Sequence, residues 1–350
     1  MEITELLALA VKQNASDIHL LPELPPLFRM HGELQNVPDH PPLSADEVKR
    51  LIFSVLSEDQ QNEFEICLQF DIALSFTNIG NFRVSVFHQL RGIAAVFRVI
   101  PEKVPTFEEL HLPSVLKSLL VLSNGLVLVT GPAGSGKSTT LAAMVEYINA
   151  VRASHIITIE DPIEYIFTSK RSAINQIQVH RDTPSFSAAL RASLRQDPNV
   201  ILLGEMRDLE TIRLALTAAE TGHLVMATLH ASSAPLAVSR IVDAFPTSEK
   251  NRVRNLLSET IQAISCQTLV KKVSGGRIAA FEIMLATRAI RHQIRQDRVA
   301  HMAMTMQTSG DIGMCTMEQY LDELVAKRLV SPTVARSAAL SRGAYRYSTS

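Results

Sequence analysis

Apolar residues recur at helical spacing over residues 3–11, which predicts an amphipathic helix at the start of the chain. Residues 17–21 and 27–30 read as strands on either side of a proline-bounded turn, Pro22 to Pro26. Residues 70–76 and 82–86 alternate apolar with polar, the pattern of strands with one buried face. Asn78-Ile-Gly80 between them predicts a hairpin turn. Residues 94–100 predict a further strand, after which Pro101 and Pro105 interrupt the pattern. From about Leu112 the rhythm changes. Residues 125–129, 156–159, 200–203 and 224–228 are almost wholly apolar, and helix-like segments such as 139–147 and 209–219 lie between them. Strands apolar on both faces need cover on both faces, so a parallel sheet clad in helices is expected.

This reading divides the chain into an N-terminal domain over 1–100, a linker over 101–111 and an α/β domain over 112–350. Residues 341–350 read as a frayed polar tail.

Composition narrows the classes. A chain of 350 residues fits two domains, and 46% apolar against 20% charged residues is enough to fill packed cores. The 34 basic and 35 acidic side chains leave a formal net charge of -1, which argues against a nucleic-acid partner. Lys271-Lys272 is a short basic pair that reads as a solvated turn. Cys67, Cys266 and Cys315 are few, odd in number and far apart, as expected of reduced thiols in a cytoplasmic protein. No CxxC pair suggests a thiolate zinc site. The first ten residues carry acids and no basic region, unlike a signal peptide. No apolar run approaches the roughly 20 residues that cross a bilayer. The expectation is a soluble protein that can dock on a membrane protein.

Gly131-Pro132-Ala133-Gly134-Ser135-Gly136-Lys137-Ser138 fits GxxxxGK[ST], the phosphate-binding P-loop. Its setting matters more than the string, because a strand-like run precedes it and a helix-like run beginning at Thr139 follows. Glycines let the backbone turn tightly and aim its N–H groups at phosphate oxygens. The helix N-terminus adds partial positive charge at the same place. Lys137 is expected to bridge the β- and γ-phosphates of ATP, and Ser138 to ligate Mg2+. Residues 131–139 are therefore the expected nucleotide cradle.

Two apolar strands end in acids. Residues 200–203 lead to Glu205, and residues 156–159 lead to Glu160, Asp161 and Glu164. Ligands of open parallel sheets sit at the carboxyl ends of strands. Hydrolysis needs a group that orients water and a group that serves the metal, and Glu164 and Glu205 are candidates for both roles. Asp208 is placed to cap the helix over 209–219, and Arg207 to touch the acids.

Together these residues resemble the secretion ATPases of the type II and type IV pilus superfamily, and within it the PilT branch of pilus retraction motors. The resemblance runs along nearly the whole chain. It takes in Ser16-Asp-Ile-His-Leu20, Pro25-Pro26, the P-loop, Thr158-Ile-Glu-Asp-Pro-Ile-Glu164, Gly204-Glu-Met-Arg-Asp-Leu-Glu-Thr-Ile-Arg213 and Thr221-Gly-His-Leu-Val-Met-Ala-Thr-Leu-His230. It implies a PAS-like α+β N-terminal domain, a RecA-like P-loop ATPase core and a homo-hexameric ring. Glu164 would match the catalytic base and Glu205 the magnesium-side acid.

In a straight strand His223 and His230 would lie about 23 Å apart. Only His230 is at the ligand end, where it can sense the γ-phosphate; His223 reads as structural or as a subunit contact. The family's use of N-terminal arginines across the ring points to Arg83, Arg91 and Arg98, with Arg83 and Arg98 favoured.

The segment Ala289-Ile-Arg-His-Gln-Ile-Arg-Gln296 resembles the retraction branch's AIRNLIRE signature but departs from it at His292, Gln293 and Gln296. The implied function is ATP hydrolysis driving pilus retraction, through an inner-membrane platform protein, at the cytoplasmic face of that membrane. The departure leaves open an alternative, a nucleotide-binding accessory or regulatory protein without strong retraction activity. An assembly ATPase is disfavoured by the absence of a tetracysteine motif.

Overall fold

The N-terminal helix is α1 (Ile3–Lys12), and its apolar stripe of Ile3, Leu6, Leu7 and Ala10 is buried. It belongs to the first of two compact units, which meet between Lys103 and Val104. The structure is a computed structural model and describes residues 2–30, 32–101 and 103–340. The polar tail expected over 341–350 lies outside the described residues.

The first unit continues with β1 (Asp17–Leu20), β2 (Leu27–Met30), β3 (Glu33–Asn36), α2 (Ala45–Phe53), α3 (Glu58–Cys67), β4 (Gln69–Phe76), β5 (Gly80–Gln89) and β6 (Gly92–Ile100). The strands form one antiparallel sheet in the order β3-β2-β1-β6-β5-β4. On β5 the alternation sends Phe82, Val84 and Val86 into the core with Leu6, Ile18 and Phe97. Asn78 takes a left-handed φ of 64° in the turn between β4 and β5, a conformation asparagine tolerates better than most residues. Helices α2 and α3 start at capping boxes, Ser44 with Glu47 and Ser57 with Gln60. Each serine satisfies an orphan N–H of the first turn while the facing side chain returns the bond.

The second unit contains α4 (Val115–Leu119), β7 (Gly125–Thr130), α5 (Lys137–Val151), β8 (His155–Glu160), β9 (Ala173–Gln178), α6 (Phe186–Ser193), β10 (Val200–Leu203), α7 (Leu209–Glu220), β11 (Leu224–Leu229), α8 (Ala234–Asp243), α9 (Lys250–Thr260), β12 (Ile261–Lys271) and β13 (Arg277–Leu285). Four helices close it: α10 (Arg288–Arg295), α11 (Val299–Gln307), α12 (Met317–Ala326) and α13 (Pro332–Leu340). Its seven-stranded sheet runs β13-β12-β7-β11-β10-β8-β9. All pairings are parallel except β12 with β13, an antiparallel hairpin at one edge that the strand pattern did not reveal.

The sheet is covered on both faces, which is why its central strands are apolar throughout. Val127 and Val129 of β7 face Met144, Val145 and Ile148 of α5. Leu126 and Leu128 face the opposite layer, with Ile212 and Leu216 of α7 and Ile241 of α8. The unit's core begins early: Val104 packs with Ala142 and Tyr165, and the Phe107 ring sits 5.4 Å from that of Tyr147.

Candidate nucleotide site

Strand β7 delivers Thr130 to the carboxyl edge of the sheet, and the chain then wraps through residues 131–136 into α5. Gly131 has φ of 143°, and a Cβ there would stand 2.3 Å from the Gln267 carbonyl oxygen and 2.7 Å from Ser135 Oγ. Gly134 and Gly136 have φ of 71° and 86°, left-handed values that carry little steric cost only without a side chain. Gly136 is the N-cap of α5, so the free N–H groups of the helix's first turn begin here.

Lys137 folds back over the loop and donates from Nζ to the carbonyl oxygens of Gly131, at 3.1 Å, and Pro132, at 2.9 Å. Burial holds its ammonium below the ordinary lysine range, and the negative charge of Glu205 pulls it partly back up. A half-buried cation resting on neutral carbonyls gains when phosphate oxygens replace them, because charge-assisted hydrogen bonds are the stronger kind. The Ser135 hydroxyl is buried and makes no hydrogen bond among the described residues. These features fit a polyphosphate: a glycine-rich turn, a helix N-terminus and a partly desolvated cation.

A cavity of about 240 Å³ opens beside this loop, and Lys137, Ser138, Glu160, Glu164, Glu205 and His230 all line it. Glu205 lies just past β10 with its side chain 17% exposed. Its Oε2 stands 2.7 Å from a guanidinium nitrogen of Arg207, and its Oε1 stands 3.1 Å from His230 Nε2. His230 follows β11 directly, so the ends of two adjacent strands build this contact. Thr228 of β11 also donates from its hydroxyl to the Gly204 carbonyl, tying the same two ends together.

The second acid group is spread over a strand end and the loop that follows it. Strand β8 stops at Glu160; Asp161 and Glu164 lie in the loop beyond. Pro162, which lacks an N–H and restricts the residue before it, breaks the ladder there. Glu160 Oε1 accepts from the Thr158 hydroxyl at 2.7 Å and from Gln176 Nε2 at 3.3 Å. Burial pushes the Glu160 carboxyl above its ordinary value; the bonds from Thr158 and Gln176 oppose that shift. Glu164 is exposed. Its neighbour Tyr165 is buried and donates from its hydroxyl to Thr139 Oγ1 at 3.1 Å, which fastens the acid loop to the first turn of α5.

Pro132 and Ala133 are exposed at the tip of the loop. His223 precedes β11 at the end opposite His230, and its Nδ1 stands 3.0 Å from the Ala218 carbonyl oxygen. In the first unit Arg98 of β6 donates from Nε to Asp17 Oδ1 at 2.8 Å, with its side chain 64% exposed. Arg83 lies opposite Arg98 in the β5–β6 register and is part-buried. Gln267 and Tyr165, both in direct contact with the cradle, carry no local motif that sequence reasoning could have used. Thr228 lay inside a motif already noted, but nothing in that motif singled out its hydroxyl.

The family model described as "Type II/IV secretion system protein" matches residues 2–327. The chain is 53% identical over 339 residues to a protein of Pseudomonas aeruginosa named as the type IV pilus retraction ATPase PilT, covering 97% of this chain and 98% of that one. It is 48% identical over 312 residues to a protein of Neisseria gonorrhoeae named as a twitching motility protein, covering 89% and 83%. Among solved structures, the pilus retraction motor PilT with bound ADP superposes with a TM-score of 0.90 at 43% identity, covering 97% of each chain. The ATPase DotB of Legionella pneumophila superposes with a TM-score of 0.83 at 27% identity, covering 95% of this chain and 93% of that one.

Proposed function

This chain belongs to the type II/IV secretion system protein family, and from that premise we propose how its site turns ATP hydrolysis into pilus retraction. The chain is an ATPase of the pilus-retraction type, alike along 97% of its length to a retraction ATPase and to an ADP-bound retraction motor. The observation that carries the reading is the half-buried Lys137 folded over a glycine turn, with Glu205 and Glu164 lining the same cavity.

The N–H groups at the start of α5 and the Lys137 ammonium grip the β- and γ-phosphates of ATP. Ser138 and Glu205 would hold magnesium, which supplies charge neutralisation on the phosphate oxygens. Arg207 and His230 fix the Glu205 carboxylate from both sides, so it is presented in one orientation. Glu164 orients the attacking water and accepts its proton. Its exposed loop position suits a group that completes the site when the nucleotide is enclosed, and the Tyr165–Thr139 bond sets its distance from the cradle. His230 reads the state of the γ-phosphate through Glu205.

The further parts of the reading are a PAS-like first domain over 1–100, a linker over 101–111, a RecA-like domain over 112–350 and a homo-hexameric ring. Arg98, held by the buried Asp17, and Arg83 beside it would reach a neighbouring subunit's nucleotide. The ring would turn a platform protein at the cytoplasmic face of the inner membrane. Among the described residues no helix is long and apolar enough to cross a membrane.

Phosphate release by purified protein tests the chemistry. Lys137→Ala is expected to lower turnover at least a hundredfold, the order of effect found when a phosphate-stabilising group is removed. Turnover equal to that of the unaltered protein would remove the P-loop from the mechanism. A chromosomal deletion tests the motor role: loss of twitching with surplus surface pili is expected, and normal twitching would favour the accessory role.

A further inference from the structure

The P-loop is gripped from outside by a residue that lies 132 positions away in the chain. Gln267 sits on β12 one residue past the Cys266–Thr130 pairing, so it lies beside the first residue of the loop, Gly131. Its side chain is buried, with 1% of the residue exposed. Nε2 donates to the Ser135 carbonyl oxygen at 2.7 Å, and Oε1 accepts from the Thr140 hydroxyl at 3.0 Å. Both bonds fix the amide's orientation, since the donor end faces an acceptor and the acceptor end faces a hydroxyl. The loop is shaped around this side chain. A Cβ on Gly136 would meet Nε2 at 3.3 Å, and one on Gly131 would strike the Gln267 carbonyl.

Ser135 precedes the N-cap, so its carbonyl lies outside the helix ladder, where it relies on the Gln267 amide. A trans peptide holds its C=O and the next N–H in one plane, pointing in opposite directions. Binding the Ser135 oxygen toward β12 therefore turns the Gly136 N–H away from β12. The direction of the Gly136 N–H is thus set by a side chain that lies outside the loop.

We propose that Gln267 is a positioning residue for nucleotide binding: it orients the Ser135–Gly136 peptide so that the Gly136 N–H is presented to the nucleotide's phosphates before the nucleotide arrives. The inference rests on the nucleotide-binding reading above and adds to it a residue outside the recognised motifs. A preorganised donor costs nothing to align on binding, whereas a free peptide plane must first be ordered. The effect should fall on polyphosphates and spare ligands that do not reach the loop.

The test uses the full-length protein and measures dissociation constants for ADP and AMP by calorimetry, with circular dichroism to monitor folding. Gln267→Met keeps size and loses both bonds. Gln267→Glu keeps an acceptor for Thr140 but sets a carboxylate against the Ser135 carbonyl. Thr140→Val removes only the bond that does not touch the loop peptide. Both Gln267 variants are expected to weaken ADP about tenfold or more, the effect of losing one well-placed hydrogen bond. AMP affinity should stay within about twofold, as should ADP affinity in Thr140→Val. If Gln267→Met fails to fold, Gln267→Glu, with the same length and one retained bond, gives the answer. ADP affinity unchanged in a folded Gln267 variant, or ADP and AMP weakened alike, would overturn the assignment. Failure of the unaltered protein to bind ADP would instead strike the nucleotide-binding reading itself.

Discussion

Glu160 shows how one residue can be poised by opposing forces. Burial disfavours its charge, while the Thr158 hydroxyl and the Gln176 amide donate to the same oxygen and favour it. Burial wins, and the folded-state carboxyl titrates above the ordinary 4.5. The folded protein thus holds a proton that the unfolded chain has released. The stability from that proton is fully present below the unfolded value and is lost as pH rises through the folded one. Glu160→Gln keeps an acceptor oxygen for both donors and removes the charge. In nucleotide-free protein its melting temperature should match the unaltered protein near about pH 4 and exceed it increasingly toward about pH 8. Scanning calorimetry across that range checks the sign; a gap that stays constant with pH would mean that Glu160 ionises at no cost to the fold, and one that shrinks would mean that the fold favours its charge. Lys137 is poised in a related way, since burial depresses it and the negative charge of Glu205 offsets part of that.

At the scale of elements, helix ends and helix faces carry separable energies. Asp208 caps α7 by accepting from the Thr211 N–H at 2.8 Å and from its hydroxyl at 2.6 Å. Asp208→Ala should cost about 1 kcal/mol, read as a melting temperature lower by roughly 2–4 °C for a unit of this size. Helix α10, the one that departs from the retraction signature, is bound into the unit by Arg291. Its guanidinium donates to the carbonyl oxygens of Ala286, Ser258 and Glu259 and to the Gln262 side chain. Two of those oxygens belong to the last turn of α9, where a cation is favoured. Arg291 is one of the signature positions this chain retains. Gln293 is one it has altered: Nε2 donates to Thr305 Oγ1 at 2.8 Å, but Oε1 is buried without a hydrogen bond among the described residues. An orphaned buried acceptor costs on the order of 1 kcal/mol or more. Gln293→Leu should therefore raise the melting temperature by a few degrees. ATP turnover should change by less than about twofold, because the substitution lies outside the nucleotide cradle. A drop in stability would show that the Thr305 bond outweighs the orphan.

At the scale of the molecule, binding reports through folding. Anything that binds the folded chain and not the unfolded one stabilises it by mass action, about 2.7 kcal/mol at a hundredfold excess over the dissociation constant. For ADP this predicts a melting rise of roughly 5–10 °C, and Lys137→Ala should abolish it. Thermal-shift titration with ADP measures both; an equal rise in the variant would show that the nucleotide binds elsewhere. The second unit ties the cradle to many elements at once. The loop rests on β12 through Gln267, on the acid loop through Tyr165, and on the core through Leu141, Met144 and Val145 of α5. Strand β12 thus touches both the loop, through Gln267, and α10, through the bond from Arg291 to the Gln262 side chain.

Much of this was legible in the residues themselves. The P-loop, the apolar strands β7, β8, β10 and β11, the Asp208 cap and the resemblance to retraction motors depend on neighbours in sequence, where spacing and residue type carry the meaning. Helices α2 and α3 were not read from the sequence, although Ser44-Ala-Asp-Glu47 and Ser57-Glu-Asp-Gln60 carry the capping-box pattern. Other features exist only because the chain returns on itself. Gln267 is one glutamine among many until β12 pairs with β7, and Gln293 becomes an orphaned acceptor only when α10 packs. Local pattern determines which elements form and which chemistry they can carry. Which side chains meet, and how strongly water's exclusion amplifies each charge and hydrogen bond, is decided by contacts between residues far apart in the chain.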